Sequence, residues 1–490
     1  MNTWGNTLAQ VLIVCVTLVV VIHLLFAPKD AHSRRKPRVE LAGTTPLEAR
    51  FFTALRDRQA RGWSLADAFF IASGIRSEGD LERARKWFRG LVEEARVAVQ
   101  SHRGVSKRAD HLLRWLHQRA LSRYQARSTS ALELIRTGQF NCLSSCILYG
   151  MIGEELGLHV RGIVVDQHAF CRVYQKPQPR RRSSMTSRAG GWDVETTTPL
   201  GFNPGRSVQI DQAVVSVPRH RYRNRREISL FEMIGLIYTN HVGMTRAYPT
   251  LEDRLLAYQK ASLFFPRDPV IKHNVVAAHT QLIASAIDRG RWERASSYLK
   301  QLADVDPQGA EATQLWISLL NRHLSSLASR GLEVVLSTIR DYKNQEPQLP
   351  GALWSLLEAK YLGNVAATLL SKEESPEGLR RFTEALKRVK RGDDLVRRVP
   401  RSLRGQVQTL RHNSLVPIKN LIISQVNAQR VEYASRLNNI ALRYLPRERD
   451  LLSIRATLRG AKRTQTRRQA SPRVRSVRRT QRRSSTRRRR

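Results

Sequence analysis

The chain has 490 residues, of which 84 are lysine or arginine and 41 are aspartate or glutamate, so its formal net charge is +43. Such a length allows about two or three domains with cores of their own, and such a charge indicates anionic partners: nucleic acid, anionic lipid or acidic proteins. With only four cysteines, the chain is not a disulfide-stabilised scaffold.

The first predicted element is an apolar segment, Leu8 to Ala27, without a charged residue. Its length of about 20 residues is enough to span a bilayer, and Pro28 argues against cleavage as a signal peptide. The basic residues that follow favour a cytoplasmic position for the rest of the chain. The sequence therefore predicts a single-pass anchor (residues 8–27) in the cytoplasmic (inner) membrane, a basic linker (residues 28–45) and a mainly cytoplasmic protein.

Residues 46–134 have amphipathic helical spacing, interrupted by glycines. The pattern contains no grouping of catalytic residue types. We expect this region to consist of helices that pack on a core formed by residues 135–216.

Cys142 begins the most informative segment. Apolar residues at helical spacing follow it as far as Leu156, and Gly157 ends the pattern. Cys142 is therefore expected in the first turn of a helix, where free amides and the macrodipole stabilise a thiolate and could form an oxyanion hole. A buried and inert cysteine is the other interpretation of this segment.

A histidine and two acids follow on predicted strands. His168 lies in a β-branched and aromatic run from Val160 to Tyr174, and strand periodicity puts Cys171 on the opposite face. After a basic loop, Asp193 and Glu195 are two residues apart, so both face the same side of the next strand. Either acid could orient the imidazole of His168.

Cys142, Cys146, His168 and Cys171 are also of the residue types that bind zinc. The first pair is spaced along a helix and the second pair lies on opposite faces of a strand. Both spacings disfavour a zinc site, and we expect neither a metal nor an organic cofactor.

The order of a cysteine helix, a histidine strand and an acid strand resembles the transglutaminase-like superfamily, whose fold is related to that of papain-like cysteine proteases. The resemblance covers about Leu112 to Pro204, and Asn141-Cys142-Leu143-Ser144 is similar to the nucleophile motif of a bacterial branch with helical repeats. It implies Cys142 as the nucleophile and His168 as the base. It also implies that Glu195 takes the place of the family's aspartate, with Asp193 as the alternative acid.

Residues 227–459 have a helical pattern throughout. Three stretches share a spacing that ends in proline: Tyr258-x2-Ala261-x4-Pro266, Ala295-x3-Leu299-x2-Leu302-x4-Pro307 and Ala434-x3-Asn438-x2-Ala441-x4-Pro446. This spacing resembles the second helix of the tetratricopeptide repeat, although the interval from Pro266 to Pro307 is longer than that repeat. The resemblance implies a solenoid that binds a protein partner; a plain helical domain is the alternative.

Residues 460–490 are rich in arginine and contain neither acids nor aromatic residues. This composition predicts a disordered tail. Such a tail would bind nucleic acid or anionic lipid without specificity, through salt-sensitive electrostatic attraction.

Together these features predict an α+β fold: a helical N-terminal region and a papain-like/transglutaminase-like core, followed by an all-α, tetratricopeptide-like solenoid. The predicted activity is acyl transfer or hydrolysis at peptide or protein amides, performed by Cys142, His168 and Glu195 or Asp193. The alternative is a catalytically inactive, membrane-tethered scaffold that assembles partners through its repeats and basic tail.

Overall fold

The computed structural model describes residues 45–56, 62–175, 190–204, 207–210, 213–216, 225–244, 247–307, 310–347 and 349–469. These residues are mostly helical, with seventeen α-helices and a small four-stranded sheet. The chain divides into two compact units: one comprises residues 1–245 and 263–265, and the other comprises residues 246–262 and 266–490. The predicted α+β class is confirmed only at this coarse level, as a mostly helical chain with a small sheet.

The first unit contains seven helices and eight strands among the described residues. The helices are α1 (Pro46–Arg56), α2 (Leu65–Ala72), α3 (Glu78–Val99), α4 (Val105–Arg119), α5 (Ala131–Thr137), α6 (Cys142–Glu155) and α7 (Leu230–Met244). The strands are β1 (Arg123–Tyr124), β2 (Gln139–Phe140), β3 (His159–Val165), β4 (His168–Tyr174), β5 (Gly191–Val194), β6 (Ser207–Ile210), β7 (Ala213–Ser216) and β8 (Arg226–Ile228).

The four-stranded sheet has the order β5-β4-β3-β8 and is antiparallel throughout. β3 and β4 form a hairpin in which Val165 is opposite His168, so the histidine begins its strand directly after a two-residue connection. On the other side of β4, Asp193 of β5 is opposite Arg172. This register brings His168 and the residues that follow β5 to the same end of the sheet.

The strand β8 corrects the predicted start of the helical segment. Glu227 and Ile228 pair with the edge of β3, where Ile228 is opposite Gly162, and the next helix begins at Leu230. That helix, α7, belongs to the first unit. A short β-branched edge strand was not distinguishable from the start of a helix by periodicity alone.

Helix α6 lies at the centre of the first unit. Every residue from Leu143 to Gly153 is buried, and the helix packs on β3, β4, α4 and α7. Gly150 permits the close approach of α7, because a Cβ at that position would lie 2.4 Å from Cδ2 of Leu230. The core therefore fixes the helix whose first residue is Cys142.

The remaining helices include all those of the second unit: α8 (Leu251–Phe264), α9 (Pro269–Asp288), α10 (Trp292–Val305), α11 (Ala310–Leu327), α12 (Leu332–Gln345), α13 (Gly351–Leu369), α14 (Pro376–Val396), α15 (Arg404–Asn427), α16 (Val431–Tyr444) and α17 (Arg449–Gln469). From α9 onward each helix packs on the next. In addition, α9 packs on α11, α13 on α15, and α15 on α17.

The spacing that the sequence repeats corresponds to buried positions. In α10 these are Ala295, Leu299 and Leu302, and in α16 they are Ala434, Asn438 and Ala441, all at most 1% exposed. Small side chains at such positions let neighbouring helices approach closely.

The same turn precedes both helices. Gly290 and Gln429 have φ values of 66° and 61°, in the left-handed region that ends helices. After each, an amide donates back to the preceding helix, from Arg291 to the Ala286 carbonyl and from Arg430 to the Gln425 carbonyl. Two distant parts of the second unit therefore share one local structure.

The predicted membrane anchor and inner-membrane location are contradicted. Within the described ranges, no helix combines the length and apolar character that crossing a bilayer requires. Some of the long helices carry many charges: α3, for example, has ten acidic or basic residues in EGDLERARKWFRGLVEEARVAV. Leu8 to Ala27, the segment on which the prediction was based, lies outside the described residues, as does the linker over residues 28–44.

The basic C-terminal segment is helical over part of its length. α17 continues to Gln469, so residues 460–469 are helical where their composition predicted disorder. Alanine, arginine, lysine and glutamine favour helices, and Lys462 Nζ lies 2.5 Å from Glu432 of α16. Residues 470–490 lie outside the described part of the chain.

Candidate functional site

Asn141 fixes the start of α6 and so positions Cys142. Its Oδ1 accepts the amides of Leu143 and Ser144, each at 3.0 Å, while its own amide donates to Ser144 Oγ at 3.0 Å. This reciprocal pair is a capping box. Cys142 is then the first helical residue, and its amide is not one of those that the cap engages. The side chain of Cys142 is half-buried.

The cap is itself anchored to the segment before it. Asn141 Nδ2 donates to the Ala126 carbonyl at 3.1 Å, and Ser144 Oγ donates to the Ser128 carbonyl at 2.9 Å. Asn141 and Ser144 are almost completely buried, so these bonds satisfy polar groups that would otherwise be costly to bury. The asparagine and serine of Asn-Cys-Leu-Ser thus cap the helix and also bind it to the carbonyls of the preceding segment.

His168 lies between a carboxylate and the thiol. Its Nε2 donates to Glu195 Oε2 at 2.6 Å, and its ring stacks on Phe170 with the ring centres 6.4 Å apart. Burial lowers the pKa of His168, but a hydrogen bond with Cys142 and the carboxylate of Glu195 outweigh that effect and raise the pKa to about 10. The side chain remains 30% exposed, so the imidazole is accessible from solvent.

Both oxygens of Glu195 are engaged. Oε2 accepts from His168, and Oε1 accepts from Thr197 Oγ1 at 2.7 Å and from the Thr197 amide at 3.2 Å. The Glu195 amide donates to the Gly201 carbonyl at 2.8 Å. Gly201 is required for this approach, because a Cβ there would lie 1.9 Å from the Glu195 carbonyl oxygen.

Thr196 attaches the acid segment to α6. Its Oγ1 lies 2.8 Å from Ser145 Oγ and 3.1 Å from Cys146 Sγ, and its carbonyl accepts from His117 Nε2 at 3.1 Å. Burial lowers the pKa of His117, which keeps that ring neutral at neutral pH. The carboxylate is therefore held relative to the same helix that carries Cys142.

Asp193 does not contact the imidazole. Arg225 binds its carboxylate with two nitrogens, at 2.8 and 3.1 Å, and Arg172 Nη1 donates to it at 3.1 Å. Of the two acids that the sequence left open, Glu195 is thus the one at the ring. The roles of Cys142, His168 and Glu195 in a reaction remain predictions.

The other two described cysteines are core residues. Cys146 and Cys171 are fully buried, Cys171 Sγ donates to the Cys146 carbonyl at 3.3 Å, and burial raises the pKa of the Cys146 thiol well above its ordinary value. All three described cysteines are free thiols. The described residues contain no group of three or more histidine, cysteine or acidic side chains placed to hold a metal ion.

Tyr124 is a site residue that the sequence did not indicate. It lies on β1, which pairs in parallel with β2 and puts Tyr124 opposite Phe140, two residues before Cys142. Partial burial, together with the electrostatic influence of Cys142 and Glu195, raises the pKa of Tyr124 to about 12. A two-residue parallel strand leaves no periodic signal in a sequence, and the predicted helical region ran through this position.

The site thus combines a half-buried thiol at a helix start, an imidazole that is protonated at neutral pH, a carboxylate that holds the imidazole and a nearby phenol. Such groups can form and break bonds at an acyl carbon. Comparisons with protein-family models, with curated proteins and with solved structures found no match.

Proposed function

We propose that this protein is a transglutaminase-like cysteine enzyme that transfers or hydrolyses an acyl group at peptide or protein amides. The observation that supports this most is the position of His168, whose Nε2 lies 2.6 Å from Glu195 Oε2 and whose pKa is raised by both Cys142 and Glu195. A nucleophile, a base and a group that orients the base are the minimum set for this chemistry.

Each residue has one role in the proposed reaction. The thiolate of Cys142 attacks the amide carbon, and the carbonyl electrons move to oxygen. As the C–N bond breaks, His168 gives its proton to the leaving nitrogen, leaving a thioester on Cys142. His168 then takes a proton from water or an amine, which attacks the thioester and releases the product. Glu195 orients the ring and stabilises its charged form.

We also propose that the first unit has a papain-like/transglutaminase-like core and that the second unit is a tetratricopeptide-like solenoid. A cysteine helix packed against an antiparallel hairpin, with the histidine on β4 and the acid after β5, agrees with a papain-like/transglutaminase-like core. The repeated turn at Gly290 and Gln429 agrees with a tetratricopeptide-like solenoid. We infer that the second unit binds a protein partner, as such solenoids do. A peptide or protein substrate, and nucleic acid or anionic lipid at the basic tail, remain predictions.

Thiol alkylation tests the proposal without knowledge of the substrate. Iodoacetamide at neutral pH should modify Cys142 at least about tenfold faster than Cys146 or Cys171, because Cys142 is half-buried beside an imidazolium whereas the others are buried. Mass spectrometry of the digested protein gives the rate at each cysteine. His168→Gln should slow alkylation of Cys142 and leave the other two rates unchanged.

The opposite outcome is equally informative. Equal rates at the three cysteines, or alkylation only after unfolding, would refute the enzyme and favour a scaffold that is built on an inactive core.

A further inference from the structure

Tyr124 lies beside the segment that leads into Cys142, opposite Phe140 in the β1–β2 pair. The residue is 42% exposed, and its ring is nearly perpendicular to the Phe140 ring, with centres 5.9 Å apart. Among the described residues, this hydroxyl makes no hydrogen bond. The Tyr124 hydroxyl is therefore free to bind a substrate atom beside the segment that leads into Cys142.

The backbone around Tyr124 is fixed to the segment that leads into Cys142. Ser122 N donates to the Gly138 carbonyl at 2.9 Å, and Gln125 N donates to the Phe140 carbonyl at 2.7 Å. One residue further on, the Ala126 carbonyl accepts from the Asn141 side chain. Bonds on both sides of Tyr124 thus set its position relative to the start of α6, so the phenol is preorganised rather than carried on a free loop.

The charge state of the phenol suits a donor. Partial burial and the electrostatic influence of Cys142 and Glu195 raise the pKa of Tyr124 to about 12, so the hydroxyl keeps its proton over the pH range in which a thiol enzyme works. The pairing of β1 with β2 puts Tyr124 opposite Phe140, two residues before Cys142, so the phenol is attached to the backbone that leads into the nucleophile. A neutral O–H group near a nucleophile can donate to negative charge that develops on the substrate.

We propose that the Tyr124 hydroxyl donates a hydrogen bond to the carbonyl oxygen of the acyl substrate as that oxygen becomes negatively charged, alongside the amide of Cys142. This role rests on the proposed function. When Cys142 Sγ bonds to the acyl carbon, the carbonyl π electrons move to oxygen, and Tyr124 stabilises that oxygen without giving up its proton. When the double bond re-forms, the leaving group departs and the hydrogen bond weakens.

Two reagents distinguish stabilisation of an oxyanion by Tyr124 from a purely structural effect of Tyr124 on the thiol. Acylation by p-nitrophenyl acetate passes through a tetrahedral oxyanion and expels nitrophenolate, which needs no proton. Alkylation by iodoacetamide displaces iodide at a saturated carbon and forms no oxyanion. Only acylation should therefore depend on Tyr124.

The experiment compares the full-length protein with Tyr124→Phe. The variant should acylate about 10- to 100-fold more slowly, as measured by the burst of nitrophenolate, and should alkylate at Cys142 within about twofold of the unchanged protein. Tyr174→Phe is the matched control: Tyr174 donates to Glu227 at the other end of β4, and its loss should leave both rates within about twofold.

Three other outcomes would overturn the role. If both rates are unchanged in Tyr124→Phe, the hydroxyl does not take part. If both rates fall together, Tyr124 only supports the structure around the thiol. If Cys142 of the unchanged protein alkylates no faster than Cys146 and Cys171, the proposed function fails first, and the role of Tyr124 fails with it.

Discussion

Each unit contains a histidine on which burial acts to lower the pKa, but the two pKa values move in opposite directions. In the second unit, burial lowers the pKa of His279 to about 4, and neither ring nitrogen has a hydrogen-bond partner among the described residues. In the first unit, burial acts on His168 in the same sense, but Cys142 and Glu195 raise the pKa to about 10. Partners rather than burial thus decide which histidine carries a proton at neutral pH.

The difference has opposite consequences for stability. The folded pKa of His168 is above the ordinary value of 6.5, so its contribution is fully present below pH 6.5 and is lost as the pH rises through about 10. The folded pKa of His279 is below 6.5, so its contribution is present above pH 6.5 and is lost as the pH falls toward 4. Acid should therefore weaken the second unit at His279 while leaving His168 protonated.

The largest effect is expected when His168 loses its partner. Glu195→Gln should lower acylation of Cys142 by two to three orders of magnitude, or about 3–4 kcal/mol, because an amide neither stabilises the imidazolium nor fixes the ring as a carboxylate does. The burst of nitrophenolate from p-nitrophenyl acetate measures this rate.

Asp193→Asn is the matched control for that change. It alters the other acid, two residues earlier, whose partners are Arg172 and Arg225, and should change the rate by less than about threefold. If the two variants exchange these effects, the ring is oriented by Asp193 in solution and the arrangement at Glu195 is not the working one.

His279 should make the protein acid-sensitive. Between pH 7 and about pH 4.5, the pKa difference from 6.5 to about 4 predicts a loss of about 2–3 kcal/mol in the free energy of unfolding. His279→Leu should remove that loss, as urea titrations of both proteins at the two pH values would measure. Titrations at other sites cancel in the difference between the proteins.

His273→Leu serves as the control on the same helix. His273 is exposed, so its replacement should leave the acid sensitivity in place. Equal acid sensitivity of the His279→Leu variant and the unchanged protein would show that His279 finds a partner in solution, and the comparison with His168 would fail.

The raised pKa of His168 should depend on Cys142. Removing the thiol in Cys142→Ala eliminates one of the two groups that raise it, so the pKa should fall by about one unit or more and yet stay above 6.5 because Glu195 remains. Titration of the ring by nitrogen-15 NMR measures both values. An unchanged pKa would mean that the thiol and the imidazole are not coupled.

Local sequence signals predicted the helix start at Cys142, whereas pairing between distant segments decided which acid contacts His168. Apolar residues at helical spacing from Leu143 to Leu156 predicted that Cys142 lies at a helix start, and the structure shows that Asn141 and Ser144 cap that start. Asp193 and Glu195 have the same strand parity, so only the register of β5 against β4, and the contact between Gly201 and Glu195, select the acid at the ring. Tyr124 depends on a parallel pair of two-residue strands, which no periodicity encodes.

The smallest effect is expected at Thr196, a buried polar residue that, unlike His279, has hydrogen-bond partners in the part of the chain that the structure describes. Thr196 is fully buried, and its hydroxyl contacts Ser145 Oγ and Cys146 Sγ. Thr196→Val keeps the shape but removes the hydroxyl. Ser145 Oγ still donates to the Asn141 carbonyl at 2.8 Å, so the loss in the free energy of unfolding should be only about 1–2 kcal/mol.

Thr196→Val should therefore lower the free energy of unfolding, because the Thr196 hydroxyl has hydrogen-bond partners. His279→Leu should instead raise it in acid, because the His279 ring nitrogens have no partner among the described residues. Thr338→Val, which removes an exposed hydroxyl bonded only to the Val334 carbonyl, should change the free energy by less than about 0.5 kcal/mol. Urea denaturation at pH 7 gives all these values. If Thr196→Val leaves the free energy of unfolding unchanged, the Thr196 hydroxyl is not needed to hold the acid segment. The bond from His117 to the Thr196 carbonyl and the bond from the Glu195 amide to the Gly201 carbonyl would then be sufficient to position Glu195.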